Sequence, residues 1–328
     1  MIRGDGIRRN IAQVDADEVA ALIDAIKQLN VRRYRGSRDE LPVGGVSLWF
    51  KQDEIHQATH VHDGPEFLPW HRELCNRFEH LIRSVDPRLS LHYWDWTTDP
   101  SPLFAPNGPW GSKTGDVGEP WLGAGFYKPD ADPFRGKQIT DVKNANPFDP
   151  PRALTREVEE GAPQLAFADD DIIGSPDYRS MRIKLESSHD GAHGYIGGTI
   201  GNAHTSFRDP FVFLLHSNAD RLFAMWQYAD PAQRLNPITV YGDDPEFPVW
   251  FGRTLNPWDG QGRTRPWVAP EFEREVKDYR HPSVVEPPLY DTLPQAGDGQ
   301  AATQKVEELR HLLEDPAVRR AARSFTPT

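Results

Sequence analysis

The amino-acid sequence predicts a mainly α protein, a four-helix bundle with long irregular loops and little β structure. The first observation behind this prediction is that apolar residues recur at helical spacing in a few separate segments. The second is that four of these segments form two consecutive pairs, as expected for the halves of one bundle. The third is that residues 97–178 and 230–298 are rich in Pro and lack periodicity, which favours loops.

Three helices are predicted in the first third of the chain. The first begins after Asp15 or Asp17, either of which can cap it, and ends at Leu29. The second covers about residues 47–59. The third covers residues 69–85 and has a proline at its start, where the missing N–H removes no helical hydrogen bond.

Two further helices are predicted at residues 177–193 and 209–228, which complete the bundle. A last amphipathic helix is predicted near residues 303–322, inside a C-terminal helical extension at 299–328. Because the two helix pairs form one bundle, we predict a single domain over residues 1–328.

Composition and charge exclude several classes of partner. The formal net charge of -12 would repel nucleic acid and anionic membranes. No segment has the roughly 20 apolar residues that span a bilayer, and the first residues lack a secretory signal. We therefore expect a cytoplasmic protein, with export on a partner protein left open. The single cysteine, Cys75, excludes an intramolecular disulfide, and its apolar neighbours favour a buried thiol.

Six of the 12 histidines form two groups that make chemical sense together. The first group lies between residues 56 and 71. In the second, His189 and His193 are four residues apart, so their rings project from one helix face. His216 lies in an apolar run, where an imidazole needs a hydrogen-bond partner or a metal.

Three neutral imidazoles suit copper, zinc, iron or nickel. Two such sites that face each other could reduce O2 by two electrons in one step. A lone histidine on an apolar face is, by contrast, usually an ordinary core residue. We interpret four others in that way, namely His80, His92, His281 and His311.

Two longer motifs resemble those of a known family. Residues 67–72, Phe-Leu-Pro-Trp-His-Arg, followed by Phe78 and Glu79, resemble the copper A signature of tyrosinases. Residues 209–221, which begin Asp-Pro-Phe-Val-Phe-Leu-Leu-His, resemble their copper B signature, and Tyr-Trp-Asp-Trp at 93–96 also resembles a family segment. The resemblance covers about residues 47–97 as the copper A half and 181–228 as the copper B half.

The resemblance implies a dinuclear centre with two copper ions. The implied ligands are His56, His62 and His71 for copper A, and His189, His193 and His216 for copper B. The first copper A ligand has an alternative, His60, which we place beside the site because it lies awkwardly close to His62. The chain departs from many relatives at Leu215, where they have a second adjacent histidine.

The resemblance also implies further site residues. Glu186 shares a helical face with His189 and is the candidate base, and Asp190 is either a candidate to assist it or a solvated surface charge. Asp220 is a candidate acceptor near the site, or else a salt-bridge partner of an arginine. The positions expected at the substrate entrance are Gly194, Ala203 and His204.

The implied function is O2-dependent ortho-hydroxylation of monophenols and oxidation of o-diphenols to o-quinones. The expected partners are therefore a small phenol and O2, and a copper-delivery protein stays open. A catechol oxidase or an o-aminophenol oxidase without monophenol activity is the alternative. More remote are an O2 carrier and a zinc peptidase, since residues 189–193 faintly resemble His-Glu-x-x-His.

Overall fold

Five long helices carry the core of the computed structural model, which describes residues 3–32, 48–59, 61–118, 154–241, 255 and 278–294. They are α1 (Ala16–Val31), α2 (Leu48–Thr59), α3 (Phe67–Arg83), α4 (Tyr178–Ile196) and α5 (Val212–Ala229). Every predicted boundary lies within three residues of the observed one. The predicted helix near 303–322 falls outside the described residues.

The predicted helix starts are confirmed with one difference in the capping. Asp177 caps α4, because its carboxylate accepts a hydrogen bond of 2.7 Å from the backbone N–H of Ser180. Asp15 occupies the cap position of α1 but makes no such bond. The acidic residues Asp17 and Glu18 instead lie in the first turn of α1, where negative charge favours the helix dipole.

Helix α5 begins three residues later than the sequence suggested. Asp209, the predicted start, is buried and binds the guanidinium of Arg156 through two contacts of 2.7 Å. The same carboxylate accepts a hydrogen bond of 3.0 Å from the backbone N–H of Phe211. These bonds hold Asp209 in an extended conformation, so the helix starts only at Val212.

The segments between the long helices contain little regular structure, as predicted. The strands Thr114–Asp116 and Thr155–Glu157 pair in antiparallel register, with Gly115 opposite Arg156. They form the one sheet within the described ranges. The short helical elements are Ile11–Gln13, Ser101–Leu103, Asp169–Ile173, Ser206–Arg208, Pro231–Arg234, Pro237–Val240 and Pro282–Val285.

Large aromatic side chains join the helices into one core. Trp49 of α2 packs edge-on against Phe78 of α3 at 5.8 Å and against Phe213 of α5 at 5.9 Å between ring centroids. All three side chains are almost fully buried, and burial of such rings is a main source of core stability. Within the part of the chain that is described, no helix is both long and apolar enough to cross a bilayer.

A buried network of charges joins the two ends of the described chain to the bundle. Arg8 contacts Glu79 of α3 at 3.0 Å and Asp220 of α5 at 3.1 Å. Asp220 also binds Arg72 of α3 and accepts a hydrogen bond of 2.8 Å from the hydroxyl of Tyr290. Asp220 is therefore a salt-bridge partner, which is the alternative that the sequence left open, and a role beside the metal site stays a prediction.

The histidines interpreted as ordinary core residues differ in their surroundings. His92 is buried, lies 3.2 Å from the carboxylate of Glu18, and accepts a bond from a backbone N–H. His281 is partly buried and caps a short helix by accepting from the N–H of Ser283. His80 is exposed, so its interpretation as a core residue is wrong. His311 lies outside the described residues.

Candidate metal centre

Six histidines from both halves of the chain meet inside the bundle. Their positions are His56 on α2, His62 in the following loop, His71 on α3, His189 and His193 on α4, and His216 on α5. They form the two groups expected from the sequence, and within each group the candidate ligand atoms lie within 4.8 Å of one another.

The first group takes its histidines from α2, the loop after it and α3. The ring centroids are 5.1 Å apart for His56 and His62, 5.2 Å for His62 and His71, and 5.6 Å for His56 and His71. Three imidazoles from three different segments therefore surround one point. This is the arrangement of a three-histidine metal site.

The second group is tighter. The Nε2 atom of His189 lies 3.0 Å from Nε2 of His193 and 3.0 Å from Nε2 of His216. The spacing of four residues places His189 and His193 on one face of α4, as predicted. His216 approaches them from α5, because α4 and α5 pack against each other.

The two groups face each other directly. The rings of His71 and His216 are stacked, with centroids 4.9 Å apart and planes 11° from parallel. His62 and His189 approach to 6.4 Å between centroids on another side of the same space. The arrangement therefore fits two metal ions held side by side.

Backbone carbonyls orient several of these rings. Nδ1 of His71 donates to the carbonyl of Phe67 at 2.8 Å, and Nδ1 of His216 donates to the carbonyl of Val212 at 2.9 Å. In both pairs the acceptor lies one turn earlier on the same helix. Because a carbonyl can only accept, each Nδ1 carries the proton and each Nε2 presents a lone pair.

The two histidines of α4 are oriented by acceptors outside the helix ladder. Nδ1 of His193 donates to the carbonyl of Ile200 at 2.8 Å, and Nδ1 of His189 donates to the carboxylate of Asp190 at 3.0 Å. Outer partners of this kind commonly fix the tautomer and direction of metal-binding imidazoles.

These hydrogen bonds have a direct consequence for the second group. Each ring uses its one proton at Nδ1, so three lone pairs of the Nε2 atoms face one another at close range with no proton between them. In the first group, Nε2 of His71 is buried and has no hydrogen-bond partner among the described residues. Both features would be relieved by a cation among the rings, so the residues present fit a metal in each group.

Burial favours the neutral form of four of these imidazoles. It lowers the pKa of His193, and it holds the pKa of His71, His189 and His216 well below the usual range, with repulsion from neighbouring imidazoles acting in the same direction. A neutral imidazole is the form that binds a metal. The site is therefore ready to take up metal at neutral pH.

One side of the centre is partly exposed in the part of the chain that the structure describes. His62 in the first group and His193 in the second are partly exposed, whereas the other four histidines are buried. Gly194 follows His193, is exposed, and has open space where a side chain would project. Ala203 is exposed and His204 half-buried.

Glu186 joins the two halves of the centre. It is buried on α4, and its Oε1 accepts a hydrogen bond of 2.7 Å from the backbone N–H of Asp63, the residue after His62. Its Oε2 accepts from Arg182 at 3.2 Å. Burial raises the pKa of Glu186 to about 7. Asp63 itself has a positive φ of 60°, a strained conformation that this hydrogen bond helps to hold.

The remaining predicted position and one missed contact complete the description. His60 lies outside the described residues. Sequence reasoning missed Phe207, whose ring centroid lies 4.3 Å from that of His56 and 4.8 Å from that of His216. The signal available was its place just before the Asp209-Pro210 start of the second motif, but nothing local to it indicates contact with α2.

Comparison with known proteins agrees with this geometry. Residues 45–229 match the common central domain of tyrosinase. The chain is 28% identical over 269 residues to a tyrosinase of Streptomyces antibioticus, covering 77% of this chain and 93% of that protein. It is 27% identical over 294 residues to grixazone synthase of Streptomyces griseus, with the same coverage of 77% and 93%. It is also 28% identical over 237 residues to hemocyanin 2 of Megathura crenulata, covering 67% of this chain but 6% of that protein.

Solved structures share the fold. A polyphenol oxidase variant from Thermothelomyces thermophila superposes with a TM-score of 0.58 at 21% identity, covering 88% of each chain. A functional unit of octopus hemocyanin superposes with a TM-score of 0.57 at 18% identity, covering 93% of this chain and 73% of that one. The helical architecture around the six histidines is thus an established one.

Proposed function

This chain belongs to the tyrosinase family of dinuclear copper proteins, and from that premise we propose that it is an enzyme that oxidises phenols with O2. The proposed reactions are ortho-hydroxylation of monophenols and oxidation of o-diphenols to o-quinones. Within this proposal His56, His62 and His71 hold one copper, and His189, His193 and His216 hold the other.

The observation that carries the proposal is the pair of facing histidine groups. In the second group, Nε2 of His189 lies 3.0 Å from Nε2 of both His193 and His216, and His71 and His216 stack across the boundary between the groups. A single structural metal would leave one group without a role. Two ions side by side would use all six rings, and two bound copper(I) ions would supply two of the four electrons that reduction of O2 to water requires, with the phenol supplying the others.

The protein's own contribution is to hold the imidazole rings in place and to keep bulk water away from part of the centre. Carbonyl acceptors fix Nδ1 of His71, His193 and His216, so each ring turns its Nε2 inward without rearrangement. Phe67 packs on His71 with ring centroids 4.6 Å apart, and on His189 at 4.9 Å. These buried aromatic walls keep bulk water away from the far side of the centre.

Substrate reaches the centre from the open side. His62 and His193 are the partly exposed members of their groups, and the exposed Gly194 leaves the approach beside His193 wide. A phenol ring entering here can lie flat against these imidazoles. The absence of a side chain at Gly194 favours a pocket that accepts substituted phenols.

Proton transfer is assigned to Glu186. A phenol has a pKa near 10, so its hydroxyl proton must be taken up at neutral pH by a base. The carboxylate of Glu186 has a pKa of about 7 and retains a lone pair on each oxygen beyond the bonds to Asp63 and Arg182. In this proposal it accepts the proton through a water molecule. Asp190 contributes by orienting His189.

A second candidate function is reversible O2 carriage. It is favoured by the similarity to hemocyanin 2 of Megathura crenulata, because such a carrier would use the same two histidine groups. The exposed approach beside His193 and Gly194 argues for the enzyme, since an O2 carrier has no need to admit a phenol.

Copper loading and turnover test the proposal together. The protein is reconstituted with copper, the metal content is measured, and O2 consumption is followed with L-tyrosine, with L-DOPA and with o-aminophenol. Two coppers per chain with oxidation of both L-tyrosine and L-DOPA support the full proposal. Oxidation of L-DOPA or o-aminophenol alone assigns the narrower activity. Two coppers per chain with no turnover of any substrate assign the O2 carrier. One zinc per chain without turnover overturns the dicopper assignment.

A further inference from the structure

The short turn Ser206–Arg208 lies between the two halves of the metal centre. It directly precedes α5, which carries His216, and it packs against α2, which carries His56. Asp209, the residue that ends the turn, is buried and bound to Arg156 by two contacts of 2.7 Å. The turn is therefore anchored independently of α2.

Phe207 contacts one histidine from each group. Its ring is fully buried and lies 4.3 Å from the ring of His56 at an angle of 34°, and 4.8 Å from the ring of His216 at 42°. Tilted aromatic contacts at these distances contribute attraction beyond the buried area. Phe207 thus limits how far either imidazole can rotate away from the centre.

Arg208 reaches α2 through an ion pair. Its Nε donates to Oδ2 of Asp53 at 2.9 Å, and the Asp53 side chain is 1% exposed against 21% for Arg208. Asp53 lies three residues before His56, so the two side chains leave α2 on the same side. Removing one member of an ion pair buried to this degree is strongly unfavourable, and the pair therefore ties this face of α2 to the turn.

These contacts matter because of how α2 is supported. Among the described elements α2 packs chiefly against α1 and against the turn, whereas α3, α4 and α5 pack on one another. The position of His56 therefore follows how α2 is held against α1 and the turn.

We propose that Arg208, through Asp53, positions His56 and thereby sets the copper affinity of the first group. Arg208 itself lies in the segment between two ligands of the second group, His193 and His216. Arg208 is a positioning residue that touches neither copper nor substrate. Phe207 shares this role but serves both groups, because its ring contacts both His56 and His216. The inference rests on the proposed assignment of His56 as a ligand.

The test measures the copper affinity of each group separately in the full-length chain. The variant His193→Gln leaves a complete first group, and His62→Gln leaves a complete second group. Arg208→Met is added to each background, and affinities are obtained by competition with a chelator. Two variants serve as controls. Arg208→Lys can still donate to Asp53, and Arg221→Met removes a comparably buried ion pair with Asp169, 3.1 Å long, that lies away from the turn.

The expected result is an asymmetric loss. Arg208→Met weakens copper binding about tenfold in the His193→Gln background, the scale usual for outer partners of ligands, and leaves the His62→Gln background unchanged. Arg208→Lys restores most of the loss, and Arg221→Met shows no asymmetry. Phe207→Leu weakens binding in both backgrounds. Circular dichroism and thermal unfolding of the metal-free variants confirm that each one folds.

Three outcomes distinguish failure of this inference from failure of the proposed function. Equal weakening in both backgrounds, or none in either, overturns the positioning role of Arg208. If adding His56→Gln to the His193→Gln variant leaves its copper affinity unchanged, His56 is not a ligand of the first group. The inference then fails, because it rests on that assignment. A parent chain that binds no copper pair overturns the proposed function itself.

Discussion

At the scale of single residues, the most informative feature is the way protons are distributed over the histidines. All six candidate ligands could be predicted from spacing and motif, because these depend on local sequence. The acceptors at Phe67, Ile200 and Val212 are backbone carbonyls, which any residue supplies. No sequence pattern can therefore reveal them, even though they determine the direction of the lone pairs.

Replacing Glu186 by Gln should separate the two proposed reactions. Without a base, we expect hydroxylation of L-tyrosine to slow about 100-fold, while oxidation of L-DOPA, a more acidic phenol, falls much less. The measurement is O2 consumption with each substrate. Glu160→Gln is the control, because that side chain is 93% exposed. Equal slowing with both substrates would remove Glu186 from proton transfer.

The same variant has a second readout in the metal-free protein. Burial raises the pKa of Glu186 from 4.5 to about 7, so the folded state binds its proton more tightly than the unfolded chain. Stability therefore falls as the pH rises from 4.5 to about 7 and is constant beyond that as far as this group is concerned. Glu186→Gln should flatten this slope in urea unfolding, whereas an unchanged slope would contradict the assignment.

The choice between His56 and His60 is also decided by single substitutions. His56 lies within the first group, and we expect His56→Gln to lower the copper content to about one per chain because a two-histidine site binds weakly. His60→Gln should retain two. Metal analysis after gel filtration gives the answer, and the reverse result would move the ligand to His60.

At the scale of elements, helix α4 carries two of the six candidate ligands and the candidate base Glu186. Its start was predictable from Asp177 and its length from the apolar spacing. It ends at Gly197, whose φ of +64° suits glycine. A Cβ added at this position would lie 2.8 Å from the side chain of Glu157. The contact between α2 and the turn Ser206–Arg208 could not be predicted, because it joins segments about 150 residues apart and leaves no periodic signal.

Two glycines within α4 offer a matched prediction. Gly194→Ala should stabilise the protein by about 0.5–1 kcal/mol, because the new methyl group meets nothing within 4 Å. Gly191→Ala should gain less, since its methyl would lie 3.2 Å from Leu165. Urea unfolding of the metal-free proteins measures both. A larger increase in the free energy of unfolding for Gly191→Ala than for Gly194→Ala would show that the room around the added methyl group does not determine the stabilisation.

At the scale of the whole molecule, the buried charges around Arg8 join parts of the chain that no local pattern connects. The mainly helical class and the two-half arrangement were predicted correctly, because helical periodicity and the two motifs are local signals. The network was not predicted, since Arg8 and Tyr290 are separated by 282 positions. That the chain forms a single domain over residues 1–328 stays a prediction.

Glu79 should make this network sensitive to acid. Burial alone would raise its pKa, but the guanidinium of Arg8, together with Arg83 and the backbone N–H of Leu91, offsets this and lowers the pKa below 4.5. The group therefore stabilises the fold above pH 4.5, and this contribution is lost as the pH falls through the lowered value. Glu79→Gln should destabilise by about 3 kcal/mol at pH 7, as for other broken buried pairs.

The difference between Glu79→Gln and the parent chain should shrink steadily as unfolding is measured at lower pH, because the parent then loses the same charge. Urea unfolding at pH 7, 5 and 3 follows this convergence. Asp86→Asn serves as the control, since Asp86 pairs with the exposed Arg88 and such pairs contribute little. A gap that stays constant with pH would refute the assignment to Glu79.

The bond between Arg8 and Tyr290 also has a consequence for biosynthesis. A ribosome that has just made α5 has translated all six histidines, yet the hydroxyl that binds both Arg8 and Asp220 has still to be translated. The nascent chain at that stage has every candidate ligand for copper but lacks Tyr290, which completes the buried network of Arg8 and Asp220 against α3 and α5. The finished geometry of the centre therefore belongs to the completed chain, and metal taken up during translation would bind a looser arrangement of the same imidazoles.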